Sequence, residues 1–329
     1  MKKFMNSTET MLRESLSGFA QCHRDIVTLD GQFRFVRRKD PKRGKVALIS
    51  GGGSGHEPLH TGFVGHGMLD AACPGQVFTS PTPDQMSAAA EAVDAGAGVL
   101  FVVKNYAGDV MNFSLAAEMC AAGAETLLVD DDVAVERSAQ GMGRRGVAGT
   151  VVIEKVLGAA AEAGADLAAL KRLGTAVNAT TRSMGVALTS CTVPAVGKPT
   201  FDIADNEMEV GVGIHGEPGR RRVAMMGANE IAHELVRAIV DDLDARTGSD
   251  VLLMVNGFGA TPLLELHLMY EAASRQLTKH GLTASRAIVG NYVTSLDMAG
   301  CSLTVTLLTD QVRALWDAPV HTASLRWRM

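Results

Sequence analysis

Lys45–Pro58 reads KVALISGGGSGHEP, and the interpretation of the rest of the chain depends on it. Val46-Ala47-Leu48-Ile49 is a continuous apolar run of the kind that forms a short buried strand. Gly51, Gly52 and Gly53 follow, then Ser54, Gly55, His56 and Glu57. Glycine costs backbone entropy, so a cluster at a strand end predicts a positive φ or the close approach of another group. Ligands of open α/β sheets bind beyond the carboxyl ends of the strands. The loop is therefore expected to be the first wall of a site. Three readings compete: a flexible turn, a phosphate cradle, and a small-molecule loop offering backbone N–H groups and His56 to a polar ligand. A Walker-type cradle needs a lysine directly after its last glycine. Here His56-Glu57 follows Gly55, so that reading fails and the third is preferred.

Outward from this stretch, strands and helices alternate. Residues 1–23 predict a helix, and the charged residues 36–45 an exposed link into the Val46 strand. Thr82-Pro83-Asp84 opens a helix that runs to about Ala95. Gly98–Lys104, GVLFVVK, is a second apolar strand. Asp109 is placed to cap a helix over 110–122. Thr126–Val129 is a third strand, ending in Asp130-Asp131-Asp132. Two Ala-rich helices, about 146–163 and 166–182, precede Met184–Ser190, where a second unit begins. Glu207–Ile214 alternates like a strand, residues 228–244 read as a helix, and 250–255, 287–289 and 303–308 supply further strands. Apolar strands alternating with helices predict two α/β domains, 1–182 and 183–329, with mixed, largely parallel sheets flanked by helices.

Composition narrows the function. The 329 residues are 47% hydrophobic and 20% charged, with 35 glycines and a net charge of −5. No basic run is longer than Arg220-Arg221-Arg222, which is no footprint for nucleic acid. No apolar segment is long enough to span a bilayer, and the amino terminus lacks the apolar region of a signal peptide. Cys22, Cys73, Cys120, Cys191 and Cys301 are scattered. They are expected to be reduced, mostly buried thiols of a cytoplasmic protein.

His56, Asp109 and His215 each follow an apolar strand within a glycine-containing loop, and Lys104 ends the strand before Asp109. If those strands are parallel neighbours, their loops converge. Blander readings stand beside this one. Asp109 can be a helix cap, His215 a loop histidine bonded to a carbonyl, and Lys104 a solvated side chain. His60 and His66 lie near His56, but no carboxylate or cysteine accompanies them at ligand spacing, so no metal is expected. Asp130–Asp132 could hold magnesium, although a charge run usually marks a solvated face. Gly211-Val212-Gly213-Ile214-His215-Gly216 matches a dinucleotide fingerprint, but Glu217-Pro218-Gly219 follows it instead of a helix. The match reads as a turn.

Several longer motifs resemble the substrate-binding K subunit of the dihydroxyacetone kinases. They are Gly51–Pro58, Gly62-Phe63-Val64-Gly65, Lys104-Asn105-Tyr106 with Gly108-Asp109, Asp130–Ala134, Gly143–Gly146, Gly211–Gly219, Gly259–Pro262, Thr294–Met298 and Trp316–Thr322. The resemblance covers nearly the whole chain, with a compact stretch between Gly219 and Asp250 as its main departure. It implies that His215 attacks the ketone and holds it as a hemiaminal. It also implies that Gly53, Ser54, Gly55, His56 and Lys104 bind the substrate, that Asp109 takes the proton of the attacking hydroxyl, and that His56 assists as acid or base. The chain ends where the K-like half of the single-chain kinases ends. ADP and magnesium are therefore expected on a separate phosphoryl-donor subunit recharged from phosphoenolpyruvate, with no cofactor in this chain. A homodimer is implied as well. Two rivals remain: a non-catalytic ketose sensor acting on a transcription factor, and a nucleotide-dependent oxidoreductase built on Gly211. Within the kinase reading, the substrate could be a larger ketose such as erythrulose.

Overall fold

A computed structural model describes residues 2–120, 123–135, 143–217 and 219–329. The end of the helix expected over 110–122 and Pro218 of the Gly211–Gly219 motif lie outside the described residues. Two compact units emerge. The first holds 1–129, 150–176 and 314–329, and the second holds 130–149 and 177–313. One crossing, between Ala176 and Val177, lies near the single boundary expected at 182, but two other stretches also change unit.

In chain order the first unit contains α1 (Met11–Cys22), β1 (Val27–Leu29), β2 (Val36–Arg38), β3 (Ala47–Ser54), β4 (Gly65–His66), β5 (Ala71–Val77), α2 (Pro83–Val93), β6 (Val99–Lys104), α3 (Ala107–Met119) and β7 (Ala124–Val129), then most of α4 (Gly149–Glu162) and α5 (Leu167–Ala179). Its six-stranded sheet runs β1-β2-β5-β3-β6-β7. β5, β3, β6 and β7 are mutually parallel, and β1 and β2 are antiparallel additions. Side chains alternate across a strand. Ile49, Phe101 and Val103 therefore pack with Met86, Ala89, Phe113 and Ala116 of α2 and α3. Leu127, in register with Val102, points to the other face, where it lies against Gly174 of α5. β3 is buried along its whole length, which is why it reads as a continuous apolar run.

Residues 39–44 are the expected exposed link, and the two ends of the 36–45 stretch depart from it. Val36–Arg38 is a strand, and Arg38 and Lys45 are 8% and 3% exposed. Arg38 Nη1 reaches Asp70 Oδ1 at 3.2 Å and Glu162 Oε1 at 2.6 Å, and Lys45 pairs with the same Asp70. Asp70 Oδ2 also accepts the Leu48 N–H at 2.8 Å. Buried cations need partners of this kind, and sequence spacing gave no sign that Asp70 and Glu162 would supply them.

The second unit contains β8 (Thr181–Ala187), β9 (Glu207–Val210), β10 (Arg221–Ala224), α6 (Ala228–Asp242), β11 (Asp250–Gly257), α7 (Leu263–Lys279), β12 (Thr283–Gly290) and β13 (Gly300–Leu307). The chain closes with α8 (Asp310–Asp317), β14 (Val320–Thr322) and β15 (Arg326–Trp327). The second sheet runs β10-β9-β8-β13-β11-β12. Only β11 and β12 are parallel in it; the other neighbours are antiparallel. Ile231, Leu235, Ile239, Leu266 and Ala273 of α6 and α7 pack on Val186, Val251, Leu253 and Leu303. The fold class is thus the expected pair of α/β units with mixed sheets flanked by helices. The parallel character is concentrated in the first.

Cys73, Cys191 and Cys301 are buried, Cys120 is half-buried and Cys22 is exposed, all as free thiols. Among the described residues no helix is long and apolar enough to cross a membrane.

Candidate functional site

The glycines of Gly51–Gly53 lie inside β3 rather than after it. None of the three takes a positive φ; Gly55, at 101°, is the glycine of this stretch that does. The reason for them is close approach. A Cβ on Gly51 would lie 2.5 Å from Cys73 O, and one on Gly53 would lie 2.6 Å from the Phe78 and Thr79 backbones. On Gly52 it would lie 2.3 Å from Lys104 Nζ. Ser50 pairs in register with Val102, so alternation puts Gly52 and Lys104 on one face of adjacent parallel strands. The Ser54 hydroxyl donates to Gly75 O at 2.7 Å.

Lys104 is 0% exposed, which excludes a solvated side chain. Its Nζ donates to Gly51 O at 3.1 Å and to His60 Nε2 at 2.9 Å, and lies 3.4 Å from Asp109 Oδ2. Asp109 is itself 4% exposed. It does not cap α3: the cap is Tyr106, and Asp109 sits in the first helical turn. There the positive helix end favours a carboxylate. Two sequence-predicted residues, Lys104 and Asp109, are thus in contact at the ends of adjacent elements.

His56 is 1% exposed and stacks on Phe78, with ring centroids 5.0 Å apart and planes inclined by 20°. Gly55 N donates to Glu57 Oε2 at 2.9 Å, tightening the turn that carries the ring. No carboxylate lies at ligand spacing from His60 in the sequence. One arrives from α4: His60 Nδ1 lies 2.7 Å from Glu154 Oε1. The Lys104 ammonium has no lone pair, so His60 Nε2 must accept from it and Nδ1 must carry the ring proton. Burial holds the His60 imidazolium well below the ordinary imidazole value, and the Lys104 charge and His56 act in the same direction. Burial pushes the Glu154 carboxyl up to about 8, against the pull of Lys104 and of the Ser50 hydroxyl. Ser80 was also missed. Its Oγ is buried with no hydrogen-bond partner among the described residues, and its Cβ lies 3.3 Å from where a Cβ on Gly108 would be, beside Asp109. Nothing local in the sequence separates this serine from an ordinary turn residue.

His215 belongs to the second unit and follows an antiparallel strand, β9, so it is not carried by a parallel neighbour of β3 and β6. The expected strand to Ile214 stops at Val210, where Gly211 takes a φ of 80°. After the His215 loop the chain enters β10, paired with β9, which makes a hairpin. No helix follows, so the dinucleotide fingerprint is a turn. Arg145 organises that loop. It donates to Gly211 O at 2.8 Å, to Asp132 Oδ2 from Nε at 2.8 Å, and to Glu217 Oε1 at 3.1 Å. Glu217 Oε2 accepts the His215 backbone N–H at 2.9 Å. A Cβ on Gly213 would lie 1.8 Å from Glu217 Oε1, and one on Gly216 2.6 Å from Thr200 Oγ1.

The acidic run is not a solvated face. Asp131 and Asp132 are 0% and 2% exposed. Asp131 accepts from Val147 N at 2.8 Å, Gly149 N at 2.7 Å and the Ser183 hydroxyl. Burial raises Asp132 to about 6, with Arg145 pulling it down. Among the described residues no three His, Cys, Asp or Glu side chains gather as a metal site.

Known proteins with related sequences can be set beside this geometry. The Dak1 domain family matches residues 17–324. The PTS-dependent dihydroxyacetone kinase 1, dihydroxyacetone-binding subunit DhaK, of Listeria innocua is 49% identical, covering 94% of this chain and 95% of its own. The PEP-dependent dihydroxyacetone kinase, dihydroxyacetone-binding subunit DhaK, of Escherichia coli is 45% identical over 99% of each chain. Among solved structures, the dihydroxyacetone kinase operon co-activator Dha-DhaQ superposes with a TM-score of 0.89 at 32% identity, covering 94% of this chain and 96% of that one.

Proposed function

The chain belongs to the Dak1 domain family, and from that premise we propose that it is the dihydroxyacetone-binding subunit of a cytoplasmic dihydroxyacetone kinase supplied by a separate phosphoryl-donor subunit. The observation that carries the reading is the buried Lys104–Asp109 pair beside the glycine strand. It is a carboxylate held by a cation, as a proton acceptor for an alcohol requires. Two relatives that the chain covers almost end to end are binding subunits by name, which supports a donor on another chain.

The chemistry assigned to each residue is what the family resemblance implies, and each residue type can support it. The His215 imidazole adds through nitrogen to the ketone carbon, the carbonyl electron pair moves to oxygen, and the ring N–H proton is passed to that oxygen. A hemiaminal results. Neutral imidazole is a competent nucleophile, and glycerol, having no carbonyl, would not be trapped. Gly53, Ser54, Gly55, His56 and Lys104 are the proposed substrate-binding group, Lys104 acting chiefly through the carboxylate it holds. Asp109 accepts the proton of the terminal hydroxyl as its oxygen attacks phosphorus. A positioned base contributes about 10²–10⁴-fold. His56 polarises or protonates the bound oxygen. ADP and magnesium on the partner would carry the phosphoryl group and neutralise its charge, and phosphoryl transfer asks for little beyond such positioning. A homodimer is proposed from the same resemblance.

The test is a carbon NMR spectrum of carbonyl-labelled dihydroxyacetone with the protein and with His215→Ala. A ketone signal moved into the tetrahedral-carbon region by the wild type alone supports the trapping step. No shift with either protein removes His215 from that role for this ketone, and erythrulose is then the next ligand. A second reading, a ketose-sensing co-regulator, draws on the similarity to the co-activator structure. Phosphorylation of dihydroxyacetone in the presence of a charged donor subunit excludes it. Co-purification with a DNA-binding regulator, without turnover, favours it.

A further inference from the structure

Lys104 Nζ has three acceptors around it: Gly51 O, His60 Nε2 and the Asp109 carboxylate. Two of the ammonium's three protons are given to Gly51 O and His60 Nε2, and its charge forms an ion pair with Asp109. The proposed chemistry uses Asp109 and gives no task to His60. Yet His60 is 5% exposed and bonded on both ring nitrogens, to Lys104 at 2.9 Å and to Glu154 at 2.7 Å. Glu154 is 0% exposed on a largely apolar stretch of α4, among Val151, Val152, Ile153, Val156 and Leu157, with Lys155 the one other charged residue of that run. Burying a carboxyl there is unfavourable, and an apolar side chain of the same volume would serve stability at least as well. The residues form a hydrogen-bonded arm from Glu154 through His60 to Lys104, whose ammonium forms an ion pair with Asp109.

We propose that His60 and Glu154 are positioning residues that hold the Lys104 ammonium against the Asp109 carboxylate, a role that rests on the reading of Asp109 as the base. A lysine has four rotatable carbons, and its ammonium alone does not choose a direction. A planar imidazole with its own orientation fixed supplies that choice. Glu154 fixes the ring by accepting Nδ1–H, which leaves Nε2 as the acceptor aimed at Nζ. Histidine tautomers are commonly set in this way by the partner of the other nitrogen. Gly52 completes the arrangement by leaving the space that the Nζ occupies.

Glu154→Met and Glu154→Gln are compared in phosphoryl transfer to dihydroxyacetone from the charged donor subunit, with carbonyl-carbon NMR reporting trapping. Glu154→Met is expected to lower kcat by about tenfold or more while KM stays within about twofold and the trapped-ketone signal is retained. Glu154→Gln keeps a carbonyl oxygen for Nδ1–H and is expected to recover most of the rate. Wild-type turnover by Glu154→Met, or no recovery in Glu154→Gln, overturns the proposal. Nitrogen-15 histidine spectra of the unaltered protein, with His60 assigned by its loss in His60→Gln, test it even if the Glu154 variants do not fold. A protonated Nδ1 and bare Nε2 are expected, and the opposite tautomer overturns the arm. Asp109→Asn is run alongside. If it turns over normally, the base reading falls; if it is inactive while Glu154→Met is unimpaired, only the arm falls.

Discussion

The two glycine-rich loops look alike in sequence and are built on different physics. In the first unit, Gly51–Gly53 are extended strand residues whose missing side chains make room, for Cys73 on one side and for the Lys104 ammonium on the other. In the second unit, Gly211 and Gly216 take φ values of 80° and 73° in a hairpin turn, conformations that side chains other than glycine rarely adopt. The charges differ too. The first loop faces a buried, nearly neutral group in which one cation serves one carboxylate, with His60 uncharged. The second is clamped from outside by Arg145, which spans Asp132, Gly211 and Glu217. One arrangement is suited to accepting a proton and the other to presenting an imidazole. The contrast predicts that rate and trapping can be damaged separately.

The largest expected effect is that of Asp109→Asn. The side chain keeps its shape and loses the basic oxygen, so turnover should fall by about 10²–10⁴-fold while the labelled ketone is still trapped. Loss of trapping as well would mean that the two loops cannot be treated as separate devices. Gly52→Ala comes next. Its Cβ would lie 2.3 Å from Lys104 Nζ, the far end of a flexible side chain, which can move aside. Displacement of Nζ by about an ångström should cost roughly 10–100-fold in turnover, again with trapping preserved and little change in melting temperature. An equal loss of trapping would place Gly52 in ketose binding instead.

Arg145→Met is the matching test in the second unit. It releases Gly211 O and Glu217, and leaves Asp132 buried without its cation. The hairpin loop should then hold His215 less firmly, weakening ketose trapping by about tenfold, or roughly 1.4 kcal/mol, without changing the rate of transfer from bound ketose. Unchanged trapping would show that the glycines and Glu217 alone suffice to order the loop.

How much of this could be read from the chain depends on distance along it. Lys104 and Asp109 are close in sequence, and strand periodicity places them on one element and the next. Their contact was legible as a candidate, and the solvated and capping alternatives fell only once burial and the Tyr106 cap were known. Glu154 was invisible. It lies 94 residues from the histidine it bonds, and in an Ala- and Val-rich helix an acid followed by a lysine reads as a surface residue. Asp70 and Glu162, which neutralise Arg38, were hidden for the same reason. Glycine weakens a strand, so the glycine run by itself predicts a loop. Here its pairing with Cys73, Pro74 and Gly75 of β5 keeps it in the sheet. The hairpin nature of the Gly211 loop was signalled locally, by Glu217-Pro218-Gly219 where a fingerprint needs a helix. That β9 belongs to a mostly antiparallel sheet was not.

The smallest effect separates the two units by the pH dependence of one acid in each. Asp242 binds Arg144 through two oxygens, at 2.7 and 2.5 Å, and also meets Arg182. The Arg144 hydrogen bonds, then those of Arg182, hold its carboxyl well below the usual carboxylate range despite partial burial. A depressed carboxylate contributes stability that is present above its unfolded value of about 3.9 and is lost as the pH falls below it. Asp242→Asn should therefore lower the melting temperature at pH 7 by about 2–4 °C, with the gap closing toward pH 3. Glu154 has the opposite sign. Its carboxyl is raised to about 8, so the folded state binds the extra proton, and its contribution is lost as the pH rises from about 4 toward 8. Glu154→Gln removes that titration. Its melting temperature should climb relative to wild type across the same interval, as measured by melting curves at successive pH values. Parallel slopes for the two variants would mean that Glu154 is ionised in the folded protein. The arm behind Lys104 would then carry a negative charge instead of a neutral acid.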